Sequence, residues 1–180
     1  MAAASAFVGL GGNLGDARAA VLWALAALDR LPGTRLVCSS SLYRSAPVEA
    51  GGPDYVNAVA KLATHLSPLD LLDGLQALEL QAGRERPYVN APRTLDLDVL
   101  LYADRALDLP RLKIPHPRMW QRAFVLQPLA EIEPGLVPAS ALESVSGQQI
   151  TRCEQGSAGW GAGRRCVPAD ERDRVQSRLP

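Results

Sequence analysis

Lysine is nearly missing from this chain: of its 19 basic residues only Lys61 and Lys113 are lysines, and 19 acidic residues bring the net charge to zero. A neutral chain of this kind argues against a protein whose main task is coating nucleic acid with basic surface. Aromatic residues make up only 5% of the sequence, too few for the stacking platform of an RNA-binding sheet. Cysteine is scarce as well. Cys38, Cys153 and Cys166 are widely spaced with no C-x-x-C pair, so neither a disulfide framework nor a zinc site is expected and all three read as ordinary small side chains. No apolar run approaches the length needed to span a bilayer, and the Ala-rich start lacks the basic region and long apolar segment of a secretion signal. The expectation is a cytoplasmic protein with no membrane and no nucleic-acid partner.

The 180 residues, 47% of them hydrophobic, suffice for one packed domain, expected over residues 1–154. Residues 155–180 are rich in Gly and Arg with few large apolar side chains and read as a poorly ordered tail. Nothing in the sequence demands more than a monomer.

The most informative stretch is Pro92 to Tyr102, reading P-R-T-L-D-L-D-V-L-L-Y. As a β-strand it places Leu95, Leu97, Val99 and Leu101 on one apolar face and Thr94, Asp96 and Asp98 on the other. Alternate residues stand roughly 6.6 Å apart along a strand, from which two carboxylates can converge on metal ions and the phosphate oxygens between them. The plainer alternative, a solvated strand face, stays open on the motif alone. Seven arginines fall between Arg84 and Arg122, around the acidic pair, and their planar forks suit phosphate and carboxylate.

Around this strand, Ala6–Leu10 reads as a buried strand running into a Gly-rich turn, with Asp16 capping a helix whose apolar residues are Val21, Leu22, Leu25, Leu28 and Leu31. Arg35 to Arg44 and Tyr55 to Thr64 read as strands; in the latter Tyr55 and Asn57 share a face, an aromatic beside an amide. Ser67-Pro68-Leu69-Asp70 is a strong helix start, and Gly83 ends that helix. Within it Glu79 projects from the buried side and is expected to pair with a cation or a ligand, a purely structural pairing staying open. His116, between two prolines, is placed to touch an anion. Ala123–Ile132 reads as a helix, and Ser140–Cys153 as one more.

In order along residues 6–137, L-G-G-N-L-G-D, Y-R-S, D-Y-V-N-A, E-L-Q-A-G-R-E-R, A-P-R-T-L-D-L-D-V-L-L-Y and P-H with Arg122 and Phe124 resemble the 6-hydroxymethyl-7,8-dihydropterin pyrophosphokinase family of folate biosynthesis. The resemblance implies an α+β, ferredoxin-like fold with helices packed on an antiparallel sheet. It implies transfer of pyrophosphate from ATP to the hydroxymethyl group of 6-hydroxymethyl-7,8-dihydropterin, with two Mg2+ ions held by Asp96 and Asp98. By the same resemblance Gln76, Glu79, Arg84, Arg86, Arg93, Val99, Arg111, His116 and Arg122 match the ATP site, and Ser45, Val48, Tyr55, Asn57, Asp96 and Phe124 the pterin pocket. Arg86 and Arg93 match the mobile clamp over the phosphates and count, with the two aspartates, as catalytic. The chain departs from the family where Asn90 and Ala91 precede the P-R turn in place of a common Trp, with Tyr88 nearby, and at Lys113 and Pro117. Two other classes stay open on the D-x-D motif alone: a binding module without catalysis, and a nucleotidyltransferase.

Overall fold

The computed structural model describes residues 2–47, 52–83 and 94–154. Val48, Arg84, Arg86, Tyr88, Asn90, Ala91 and Arg93, and the tail after Glu154, lie outside the described residues.

The chain begins with β1 (Ala4–Gly12), a long strand that includes Gly11 and Gly12. The reversal falls later, at Gly15, whose φ of +59° is a left-handed value that glycine adopts without strain. Asp16 then caps α1 (Ala17–Leu28) by accepting the N–H of Ala19. In place of the single strand expected over Arg35–Arg44 there are two, β2 (Thr34–Ser39) and β3 (Tyr43–Ser45), both paired antiparallel with β4 (Tyr55–Thr64). The break at Ser40 and Ser41 lets the edge step around, with Ser40 Oγ accepting the N–H of Val59.

Ser67 caps α2 (Pro68–Gln81) by accepting the N–H of Asp70 while its hydroxyl donates to the Asp70 carboxylate, so that serine and acid cap the helix start together. Gly83, at φ +79°, follows its end. The acidic strand is β5 (Asp96–Tyr102), paired with β1. A two-stranded hairpin, β6 (Leu107–Asp108) and β7 (Lys113–Ile114), precedes a 3-10 turn at Met119–Gln121 and α3 (Ala123–Ile132). The helix expected over Ser140–Cys153 is shorter: α4 (Ala139–Ser144) stops, and β8 (Ile150–Arg152) joins the sheet beside β3. The β-branched Ile150 and Thr151 suit that strand.

The result is an α+β architecture: one antiparallel sheet in the order β5-β1-β4-β3-β8, with β2 also on β4, and helices on both faces. Ala6, Val8, Leu10, Ala58, Ala60, Leu62, Leu95, Leu97 and Val99 pack with Val21, Leu25 and Leu28 of α1 and Leu71, Leu75 and Leu78 of α2. Phe7, Val59 and Leu100 point the other way, against Met119, Val125, Leu126 and Leu129 around α3. The register of β1 against β5 shifts between Phe7 and Val8, a bulge that gives β5 one extra residue. It corrects one expectation: Leu101 does not continue the Leu95-Leu97-Val99 face but packs beside Leu100 on the α3 side. Cys38, fully buried in β2, is disulfide-bonded rather than an ordinary small side chain, while Cys153 is a free thiol. Among the described residues no helix is long and apolar enough to cross a membrane.

Candidate active site

Strand alternation decides what the α3-side face presents. With Phe7, Val59 and Leu100 on that face, Gly9, Gly11, Asn57, Asp96 and Asp98 share it. The register sets them in rows: Gly11 lies between Asp96 on β5 and Asn57 on β4, and Gly9 between Asp98 and Val59. Tyr43 faces Asn57 from β3, and Ser45 faces Tyr55. Between the aspartates and the amide, the strand therefore carries no side chain at all. A Cβ at Gly11 would stand 3.1 Å from Asn57 Oδ1, and one at Gly9 3.4 Å from the Leu100 side chain. The glycines leave a low floor bordered by carboxylates on one side and a hydrogen-bonding edge on the other. Asn57, buried at 4% exposure, has its amide fixed by donating to Ser45 Oγ at 2.9 Å. Asp96 and Asp98 are half-buried.

The α2 side reaches the same strand through Glu79. Its carboxylate is 1% exposed, and Oε1 accepts the N–H of Leu97 at 2.8 Å. The partner of this buried acid thus includes a backbone amide between the two aspartates, where the sequence suggested only a cation or a ligand.

His116 is tied to the edge of the sheet by its backbone N–H, which donates to Leu100 O at 2.9 Å. Its Nδ1 accepts the N–H of Arg118 at 3.2 Å, which assigns the remaining ring proton of the neutral form to Nε2. Burial lowers its pKa; the charges of Asp98 and Asp96 oppose the shift, and those of Arg122 and Arg118 add to it. Both aspartates and Arg122 thus stand within electrostatic reach of the His116 ring. The Arg122 guanidinium lies 5.4 Å from the centre of the Phe124 ring at the start of α3.

The other predicted positions lie elsewhere. Gln76 is exposed on α2, and Arg111, in the β6–β7 turn, is ion-paired with Asp73 of the same helix, so both belong to the α2 side. The Val99 side chain is buried in the core beneath α1 and α2 and presents only backbone to the acidic face. Val48, Arg84, Arg86 and Arg93 are not among the described residues.

The sequence reading puts Gly11 in a turn and gives Gly9 no role, although their i, i+2 spacing on a strand is the signal that two small residues share one face. It also passes over Glu131 on α3, which accepts from the Ser41 N–H at 3.1 Å, the Ser41 hydroxyl at 2.8 Å and the Tyr43 hydroxyl at 2.8 Å, and from Arg152 at 3.1 Å. These bonds join α3 to β3 and β8, and burial together with Glu131 pushes the Tyr43 hydroxyl up to about 12. Partners about 90 residues away leave no local signal.

Paired carboxylates, an amide and a histidine gathered beside one open face of an antiparallel α+β sheet are the donor set of a site for a metal-bound anionic substrate. The model of the 7,8-dihydro-6-hydroxymethylpterin-pyrophosphokinase family matches residues 7–134, and the chain belongs to that family. It is 56% identical over 131 residues to the 2-amino-4-hydroxy-6-hydroxymethyldihydropteridine pyrophosphokinase of Pseudomonas aeruginosa, covering 72% of this chain and 81% of that one. It is 48% identical over 134 residues to the enzyme of the same name from Haemophilus influenzae, covering 74% and 84%. A crystal structure of a Plasmodium falciparum HPPK-DHPS shares the fold, with a TM-score of 0.58 at 13% identity; the match covers 98% of this chain but only 44% of that one.

Proposed function

We propose that the chain transfers the terminal pyrophosphoryl group of ATP to the hydroxymethyl oxygen of 6-hydroxymethyl-7,8-dihydropterin and releases AMP. The hydroxyl oxygen forms a new bond to the β-phosphorus, the bond from that phosphorus to the oxygen it shares with the α-phosphate breaks, and the hydroxyl proton is lost. The observation that carries this reading is the row Asp96-Gly11-Asn57, which sets a carboxylate and a fixed amide on either side of a side-chain-free floor.

Each residue then has a physical task. Asn57, locked by Ser45, offers directed hydrogen bonds to the edge of a flat heterocycle, with Tyr55 on the same face of β4 and Phe124 assigned to the pocket by the family resemblance. Asp96 and Asp98 would hold Mg2+, taken as two ions. Their hard oxygen donors fit it, and a cation that arrives with a polyphosphate needs only one or two protein carboxylates. When bound, the metal supplies charge neutralisation and alignment of phosphate oxygens. Neutral His116, donating through Nε2, and Arg122 supply donors for phosphate oxygens next to the acids. Arg84, Arg86 and Arg93 are assigned the phosphate clamp, Gln76, Glu79, Val99 and Arg111 the nucleotide side, and Val48 the pterin pocket, all by the family resemblance.

The order β1-α1-β2/β3-β4-α2-β5 with β5-β1-β4-β3 side by side supports a ferredoxin-like assignment, and residues 1–154 are read as one pyrophosphokinase domain. The test is incubation of the purified protein with ATP, Mg2+ and the pterin, followed by nucleotide analysis, with EDTA and Asp96→Ala as controls. AMP that depends on both pterin and metal supports the reading. Pterin binding without AMP rejects it in favour of a binding module, and release of pyrophosphate rejects it in favour of a nucleotidyltransferase.

A further inference from the structure

Arg122 stands at the N-cap of α3, a single residue of extended backbone (φ −126°, ψ 109°) between the 3-10 turn and Ala123. N-caps favour Ser, Thr, Asp and Asn because their side-chain oxygens accept an N–H of the first turn. Arginine has no acceptor to offer, and Arg122 makes no side-chain cap bond. The acceptor comes from far along the chain. Gln148 Oε1 accepts the Ala123 N–H at 2.9 Å, and Gln148 Nε2 donates to Gln121 O at 2.8 Å. One primary amide thereby holds the peptide groups on both sides of Arg122. Gln148 is itself set by a turn, its N–H donating to Val145 O at 3.0 Å with Val145 buried, and by β8, which begins two residues later and pairs with β3. It lies beyond residue 134, where the family match ends.

We infer that Gln148 is a positioning residue: it caps α3 in place of a local side chain, which leaves position 122 open to an arginine and fixes the direction of Arg122 and Phe124. The inference rests on the reading that these two residues meet the substrates. The bond to Gln121 is exposed and the bond to Ala123 is part-buried, so without them the freed peptide groups turn to water at a small cost and the fold persists. What is lost is the single orientation of the segment, and substrate binding then carries the cost of restoring it.

The test compares Gln148→Ala and Gln148→Glu with Arg122→Ala and Phe124→Ala, measuring kcat, KM for ATP and for pterin, and melting temperature. Gln148→Glu keeps an acceptor for Ala123 but puts a carboxylate where Gln121 needs a donor. The expected result is a rise of about tenfold in KM for Gln148→Ala, with a smaller change in kcat, a fall of only a few degrees in melting temperature and an intermediate Gln148→Glu. The double variant with Arg122→Ala should be no worse for ATP than Arg122→Ala alone. Normal KM values in Gln148→Ala while Arg122→Ala and Phe124→Ala are impaired would overturn the inference and leave the site reading intact. Normal KM values in Arg122→Ala and Phe124→Ala would overturn the site reading, and the inference with it. A loss that only follows a falling melting temperature reduces Gln148 to a structural cap and also overturns the inference.

Discussion

Glu79 Oε1 accepts the backbone N–H of Leu97 at 2.8 Å, so a buried side chain on α2 grips the strand between its two aspartates. The carboxylate comes from the opposite face of the sheet, and the bond it makes to the backbone leaves Asp96 and Asp98 directed to the open face. A fixed strand is what a charged substrate requires, because carboxylates that must reorganise during the reaction lose much of their electrostatic effect.

Replacing Glu79 with Ala removes a buried hydrogen bond and leaves the Leu97 amide without its acceptor. A loss of about 2–3 kcal/mol in urea unfolding is expected, with a smaller loss for Glu79→Gln, which keeps an acceptor oxygen. Equal stability of Glu79→Ala and the parent protein would refute the structural part of this role.

Asp98→Ala is expected to lower kcat by about 10²–10³-fold or more while the Kd for pterin, measured calorimetrically, stays within about threefold. The aspartate sits beside Gly9, one row away from the Asn57 row to which the heterocycle is assigned. A parallel collapse of binding and turnover would contradict that division of labour.

Gly11→Ala sets a Cβ 3.1 Å from Asn57 Oδ1, and the amide must move or tilt. The expected outcome is a rise of about three- to tenfold in KM for pterin with little change in KM for ATP. Gly9→Ala meets the flexible end of Leu100 at 3.4 Å and should have the smaller effect on pterin. A larger pterin effect at Gly9 than at Gly11 would reverse the placement of the heterocycle.

His116 should titrate below its ordinary 6.5, mainly because burial disfavours imidazolium. Just below 6.5 the unfolded chain binds more protons than the folded one, so the contribution to stability is complete above that pH and is lost as pH falls through the folded value. An NMR titration of the ring in the free protein checks the direction, and denaturation curves at neutral and mildly acidic pH should lose part of their difference in His116→Gln. A midpoint at or above 6.5 would disprove the assignment of neutral His116 at pH 7.

Hydrophobic periodicity and capping chemistry make much of the fold legible in the sequence. The limits of β4 and α3 follow their apolar patterns, Asp16 and Ser67 cap where their side chains predict, and the alternation of L-D-L-D identifies the acidic face. These signals are local, carried by residues within a turn or a strand repeat of each other. The split of β2 from β3 and the bulge that turns Leu101 over depend on how neighbouring strands fit β4 and β1, and no single segment encodes them.

The same division holds at the site. The residues alone establish which side chains are available for chemistry, because paired aspartates, an amide beside an aromatic and a histidine among arginines are chemical identities that folding does not alter. Which of them meet is settled by folding. Strand register joined Asp96 to Asn57 across Gly11, α2 brought Glu79 under Leu97, and Gln148 reached back to the peptides around Arg122. Those relationships arise from hydrogen bonds between groups distant along the chain, whose formation depends on the packed sheet that brings them within reach.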